Sequence, residues 1–188
     1  YGAEAGALAQ AGGDILIVAG YLDKGGKGVI QASLDAGSFK TFFLPDGMIG
    51  DSLPTAIGDD LNGSIGTVPG TDSPGATKFN EIAKSNNFKA GPYTKESYDS
   101  AALIMLAMQA ANSTNSNDFK SKVMDVANAP GEKIFPGELA KGLKLLSEGK
   151  EIDYVGASAV ELIGGGESAG NFAEILIDNQ KVTTVGYK

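Results

Sequence analysis

The feature that most limits the fold is a short run near the start of the chain, Asp14-Ile-Leu-Ile-Val-Ala19, with Gly13 before it and Gly20 after it. Its apolar residues are continuous rather than alternating, and several are β-branched. Such a run suits a strand buried on both faces, as in a parallel sheet. The next segment changes period. Gly26 to Ala36 fits a helix with Val29, Ile30, Ser33 and Leu34 on one side; Asp23 is a possible cap, and Gly37 ends it. Thr41-Phe-Phe-Leu44 is then the next strand, broken by Pro45-Asp46-Gly47.

The same reading extends along the chain. Ala3 to Gly12 suits a short helix stopped by Gly12-Gly13. No strand precedes it, so the chain is expected to start inside a domain. Ser52 to Ile57 is a short helix and Ser64-Ile-Gly-Thr-Val68 a weak strand. Pro69 to Gly75 is a connector rich in turn residues. Ala76 to Asn86 is helical, with Phe79, Ile82 and Ala83 as its apolar face. Glu96 to Asn112 is a helix free of Gly and Pro, with Met105 and Met108 expected in the core. Helices over Asp118–Asn128 and Glu138–Glu148 follow, and Phe172–Ile177 with Val182–Val185 read as a hairpin around Asp178 to Lys181. Strand–helix alternation, a helical block and a closing hairpin describe an α/β protein. The Pro69–Gly75 connector and the Gly164–Gly170 stretch divide it into three pieces.

Composition removes whole classes of chemistry. The chain of 188 residues has no Cys, no His and no Trp, and its fifteen basic residues are all Lys. No disulfide, thiolate or imidazole metal site, or His-activated nucleophile is available. The formal net charge of −8 and the lack of a basic cluster argue against nucleic acid as a partner. No apolar run approaches the ~20 residues of a membrane span.

Several local motifs resemble sites. Gly20 to Gly28 follows a strand and opens a helix, as a phosphate loop does, but Gly28 stands where Ser or Thr should follow Gly-Lys. Gly164-Gly-Gly-Glu-Ser-Ala169 matches a dinucleotide spacing in letters only, since a strand follows it rather than a helix. Asp59, Asp60 and Asn62 lack the Glu that closes a calcium loop and read as a solvated loop. Asp46 has two readings. It is a turn-former between Pro45 and Gly47, or a carboxylate at a strand's carboxyl end aimed at a cation. Tyr21 at the equivalent end of the preceding strand favours the second, because ligands of open α/β sheets sit beyond those ends.

Three motifs occur in order: Gly20-Tyr21-Leu22-Asp23 after an apolar strand, Leu44-Pro45-Asp46-Gly47 after the next, and Gly91-Pro92-Tyr93 before Glu96-Ser-Tyr98-Asp99-Ser-Ala-Ala-Leu103. Together with Tyr154-Val-Gly156 and the segment from Phe172 to Lys188, the set resembles the leucine/isoleucine/valine-binding proteins. These are type I periplasmic binding proteins of ABC transporters. The resemblance implies two Rossmann-like lobes with ligand trapped between them, here incomplete. Residues 1–69 would be part of lobe two, 70–170 the returning part of lobe one, and 171–188 the C-terminal hairpin of lobe two, with a hinge crossing at Pro69 to Thr71. It implies a ligand-binding role for Tyr21, Asp46 and Tyr93. Tyr21 is similar to the lobe-two tyrosine that touches bound amino acid. Asp46 stands where the family often has Glu against the ligand ammonium, and Tyr93 looks like the aromatic lining the side-chain pocket. The shorter Asp leaves open which amino acid or related solute is bound. The implied protein is a binder and not an enzyme, without cofactor or metal. It is periplasmic or extracytoplasmic, and its partners are a small solute, a transporter permease and the missing N-terminal portion. A ligand-sensing domain on the same fold is the alternative. The resemblance also implies that faces buried in complete relatives are left bare here.

Overall fold

A computed structural model describes residues 1–188. The chain divides into two compact units. The first comprises Tyr1–Pro69 and Phe172–Lys188, and the second Gly70–Asn171.

The first unit is built on one five-stranded sheet. After helix α1 (Gly2–Ala11) come β1 (Ile15–Ile17), α2 (Lys27–Asp35), β2 (Thr41–Leu44), α3 (Ser52–Ile57) and β3 (Ser64–Pro69). β1, β2 and β3 are parallel neighbours, as the continuous apolar runs predict. The C-terminal hairpin, here labelled βx (Phe172–Asp178) and βy (Lys181–Tyr187), adds antiparallel to β3 and completes the order β1-β2-β3-βx-βy. Its turn places Asn179 and Gln180 at φ 50° and 59°, the left-handed pair that matches the twist of a two-residue hairpin.

One face of this sheet is closed. Leu16, Phe42, Leu44, Ile175 and Ile177 point to it and pack with Ile30, Met48, Leu53 and Leu61, all buried. Ser64 is also buried, and its hydroxyl accepts the Phe42 N–H at 3.2 Å. The opposite face is a correction to the expectation for β1. Ile15 and Ile17 remain 47% and 64% exposed rather than buried on both sides. Across the sheet Ile17 pairs with Phe43, Phe43 with Ile65 and Ile65 with Leu176, so the open face carries an aligned apolar row. The continuous apolar run reports what a strand needs in order to be covered; within this chain helices supply only one cover.

Asp23 is a second correction. It does not cap α2, whose first residue follows Gly26; its carboxylate instead meets Lys27 Nζ at 2.9 Å. Lys24 and Gly25 leave helical geometry, with Gly25 at φ 106°, so the segment ahead of α2 is an irregular turn with no regular helix end to cap.

The second unit is organised around a long helix. It contains α4 (Pro74–Ser85), α5 (Thr94–Ala111), α6 (Ser116–Phe119), α7 (Val123–Ala127), β4 (Glu132–Ile134), α8 (Leu139–Ser147), β5 (Ile152–Tyr154), β6 (Leu162–Ile163) and β7 (Glu167–Ser168). The C-terminal strands βx and βy are thus β8 and β9 in chain order. Ser73 caps α4 by accepting the Ala76 N–H, and Pro74 occupies its first turn. The helix expected over 118–128 is split by a 3₁₀ turn at Lys120–Lys122. β4 and β5 form a short parallel pair and β6 and β7 an antiparallel one; each is too short to leave a period in the sequence. Leu103, Leu106 and Ala107 of α5 pack with Val126, Ile134, Ile152 and Tyr154. Met105 lies on the other side of α5 and is 42% exposed beside Ile104, so it is not core. The helix is apolar nearly all round, and the pattern alone could not say which side is covered.

Within this unit Asp99 is 2% exposed. Its carboxylate accepts from Tyr154 Oη at 2.9 Å, the N–H groups of Ala157 and Ser158 at 2.7 Å each, and Ser158 Oγ at 2.6 Å. A buried carboxylate is tolerated when donors replace its water. Burial, followed by the neighbouring Asp99 charge, pushes the Tyr154 phenol far above its ordinary range. Gly156 sits inside this arrangement at φ 63°, where a Cβ would lie 2.5 Å from Asp99 Oδ1.

Candidate functional site

In the first unit the candidate site grows from the carboxyl ends of β1 and β2. The chain leaves β1 through Val18, whose N–H still donates to Phe43 O at 3.0 Å. It then turns at Gly20-Tyr21. The Tyr21 carbonyl accepts the N–H groups of Lys24 and Gly26, both at 3.1 Å. These bonds hold the backbone in a tight turn and leave Tyr21 69% exposed.

The second turn begins at Pro45, whose fixed φ of −60° starts a 3₁₀ turn over Asp46–Met48. Met48 N–H donates to the Pro45 carbonyl at 2.8 Å and Ile49 N–H to the Asp46 carbonyl at 3.0 Å. The Asp46 carboxylate accepts the Gly47 N–H at 2.8 Å and is part-buried. Met48 next to it is fully buried.

The two turns touch. Gly47 backs onto the Gly20 carbonyl and the edge of the Tyr21 ring. Tyr21, Leu22, Asp23, Lys24 and Gly47 line a shallow recess of ≈ 490 Å³. Tyr21 and Lys24 therefore line the recess with Asp23, while Asp46, whose carboxylate accepts from Gly47, lies in the adjoining turn and is not among the lining residues. This set can hydrogen-bond and neutralise a small polar solute; it holds no nucleophile–base pair.

Tyr93 belongs to the second unit. It precedes α5 with φ 61° and ψ 7° and is 42% exposed. Its carbonyl accepts the Ser97 N–H at 2.9 Å. Thr94 Oγ1 donates to the Gly91 carbonyl at 2.8 Å and accepts the Gly91 N–H at 2.9 Å, which closes the loop ahead of the helix.

The remaining motifs have structural duties. Asp59 accepts from Gln180 Nε2 at 3.1 Å and Asn62 Oδ1 accepts the Asn179 N–H at 2.9 Å, so both pin the hairpin turn. Gly164–Gly166 turns the chain between β6 and β7. Two contributors escaped the sequence reading, the close approach of Gly47 to Tyr21 and the burial of Met48. The signal for the first was the bare Pro-Asp-Gly turn, which was legible as a turn but not as a contact.

Comparison with known proteins places the fold. No protein-family profile matches the chain. Over 97 residues it is 28% identical to the chemotactic signal transduction system substrate-binding protein BasB of Halobacterium salinarum, which corresponds to 52% of this chain and 24% of that protein. Among solved structures, the leucine-binding protein LivK of Thermotoga maritima superposes with a TM-score of 0.72 at 16% identity, over 98% of this chain and 47% of its own. The substrate-binding protein LivJ of Streptococcus pneumoniae, in complex with isoleucine, gives 0.65 at 15% identity, over 97% and 47%. A solute-binding protein of R. palustris in complex with benzoate gives 0.58 at 14% identity, over 98% and 46%. The chain has the type I periplasmic binding protein fold, as its ordered motifs implied. It spans about half the length of the solved structures that it matches. No helix is long and apolar enough to cross a membrane.

Proposed function

We propose that this chain is part of an extracytoplasmic solute-binding protein that captures an amino acid or a similar small solute for an ABC transporter. The observation that carries the reading is the contact between the Tyr21 turn and the Asp46 turn at the carboxyl ends of adjacent parallel strands, where open α/β sheets bind ligands. In this reading Asp46 pairs with the solute's ammonium group and Tyr21 packs on or hydrogen-bonds it. Tyr93, ahead of α5, is the third residue proposed to bind the solute. Residues 1–69 and the hairpin 171–188 belong to lobe two, and residues 70–170 to lobe one. Further polypeptide of the same fold supplies the rest of each lobe, and a permease receives the solute.

A second reading is favoured by one relative. The curated match is a substrate-binding protein of a chemotactic signalling system, so the captured solute could be reported to a sensory transducer rather than delivered to a permease. Calorimetric titration of the natural polypeptide with a panel of amino acids, amides and aromatic acids tests the shared core of both readings. Saturable binding accompanied by compaction in solution scattering supports them, since hinge closure needs differential affinity for the closed state. Heatless titrations across the panel would remove the solute-binding assignment. Uptake and chemotaxis assays on a deletion strain then separate delivery from signalling.

A further inference from the structure

The turns after β1 and β2 meet through two glycines, and each meeting excludes a side chain. A Cβ at Gly47 would overlap the Gly20 carbonyl oxygen and lie 3.0 Å and 3.3 Å from Cδ1 and Cε1 of Tyr21. A Cβ at Gly26 would overlap Met48 Sδ and lie 2.6 Å from Met48 Cε and 2.8 Å from the Tyr21 carbonyl oxygen. Neither position needs glycine for its torsions. Gly26 has φ −56° and ψ −46°, ordinary right-handed values, and Gly47 is not among the residues of positive φ. The neighbours, not the backbone conformation, are what a side chain would offend. At both positions one obstructing atom is a backbone carbonyl, which cannot swing aside as a side chain can. The contacts are reciprocal: the Asp46 turn presses Gly47 onto the Tyr21 turn, while the Tyr21 turn receives Met48 at Gly26.

We infer that Gly26 and Gly47 are positioning residues that interlock the two turns, so that the Tyr21 ring is held in a preset place against the Asp46 turn. The inference rests on the solute-binding reading for the purpose of that placement, but not for its existence. A surface set before the ligand arrives avoids the ordering cost of assembling it on binding. The same contact sets the floor of the recess, because any side chain at position 47 would also displace the Tyr21 ring that walls it.

The test uses the tyrosines as reporters. Grown with 3-fluorotyrosine, the chain has six fluorinated rings, and Tyr21→Phe identifies the Tyr21 resonance by its loss. In Gly47→Ala the Tyr21 resonance is expected to move while that of Tyr154, buried in the second unit, stays in place. Gly6→Ala, where a Cβ meets nothing within 4 Å, should move neither. In the natural polypeptide, Gly47→Ala should weaken binding of L-isoleucine, or of whichever panel amino acid binds, by about tenfold or more. A Tyr21 resonance unmoved by Gly47→Ala overturns the interlock, whether or not Gly26→Ala folds. If the resonance moves but the unsubstituted polypeptide binds no amino acid, the interlock stands and the solute-binding reading falls.

Discussion

The two units each hold a conspicuous aspartate, and the contrast between them is one of burial: Asp99 lies deep inside the second unit, and Asp46 in a part-buried turn at a strand end. Asp99 is almost fully buried, and its oxygens take four donors from Tyr154, Ala157 and Ser158. It ties α5 to the loop after β5, and the donors come from residues far along the same chain. Asp46 sits in a turn at a strand end, part-buried, with the N–H of its own neighbour Gly47 on one oxygen. Nothing in their residue type distinguishes them. What differs is burial, and under the proposed function the expected roles divide accordingly: stability for Asp99, binding for Asp46.

The sharpest way to break the contrast is Asp99→Ala. Removing the carboxylate leaves buried donors from Tyr154 and Ala157 without an acceptor, at an expected cost of about 3–5 kcal/mol. Urea unfolding should show the loss in the second unit. A change below about 1 kcal/mol would mean that the network relaxes without it. Asp46→Ala should do the reverse. In the natural polypeptide it should weaken amino-acid binding by about 2–5 kcal/mol and leave the unfolding midpoint nearly unchanged; a large stability loss with normal binding would exchange the roles.

Tyr154→Phe sharpens the first half. It deletes one donor to a charged group, worth about 1.5–3 kcal/mol, and it should also alter the alkaline limb. Because burial holds the folded phenol above its ordinary value of 10.0, the folded state keeps a proton that the unfolded chain releases. Stability is therefore intact below that value and lost as pH rises past it. The phenylalanine variant should lose this part of the slope in unfolding curves collected at increasing pH.

Glu138 gives the smallest effect. Its carboxylate accepts the Phe135 N–H at 3.0 Å and lies 3.6 Å from Lys78 Nζ. The backbone bond first, then the lysines, hold its pKa below the ordinary 4.5. The contribution is present above that value and fades as pH falls through the lowered one. Glu138→Gln should cost about 1 kcal/mol or less near neutrality and should reduce the acid-side slope; an unchanged acid limb would show that the group is solvated in practice.

Much of the first unit was legible because its strands are marked by chemistry. Apolar runs end in Gly20 or Pro45, and the period changes at α2. The second unit was less so. β4 and β5 have three residues each, too few to show alternation, and α5 is apolar around most of its circumference. Tyr21 and Asp46 could be placed at strand ends from the order of elements alone. That Gly47 touches Tyr21 could not be read, because β1 and β2 lie far apart in sequence and only register brings their ends level. Asp99 appeared in the sequence as part of a motif, but its donors lie more than fifty residues away, beyond any local pattern.

The apolar row of Ile17, Phe43, Ile65 and Leu176, exposed at the two isoleucines and half-buried at Phe43 and Leu176, has a consequence for the chain's behaviour in solution. With a net charge of −8, copies repel at low ionic strength and the sticky face is kept from its counterparts. Added salt shortens the range of that repulsion to about 10 Å at 0.1 M without weakening the attraction between apolar faces, and sulfate strengthens it. Self-association should therefore grow with salt, opposite in sign to a complex held by ion pairs. Dilute, low-salt buffer is the condition in which this chain is expected to stay dispersed, and light scattering across a salt series checks it.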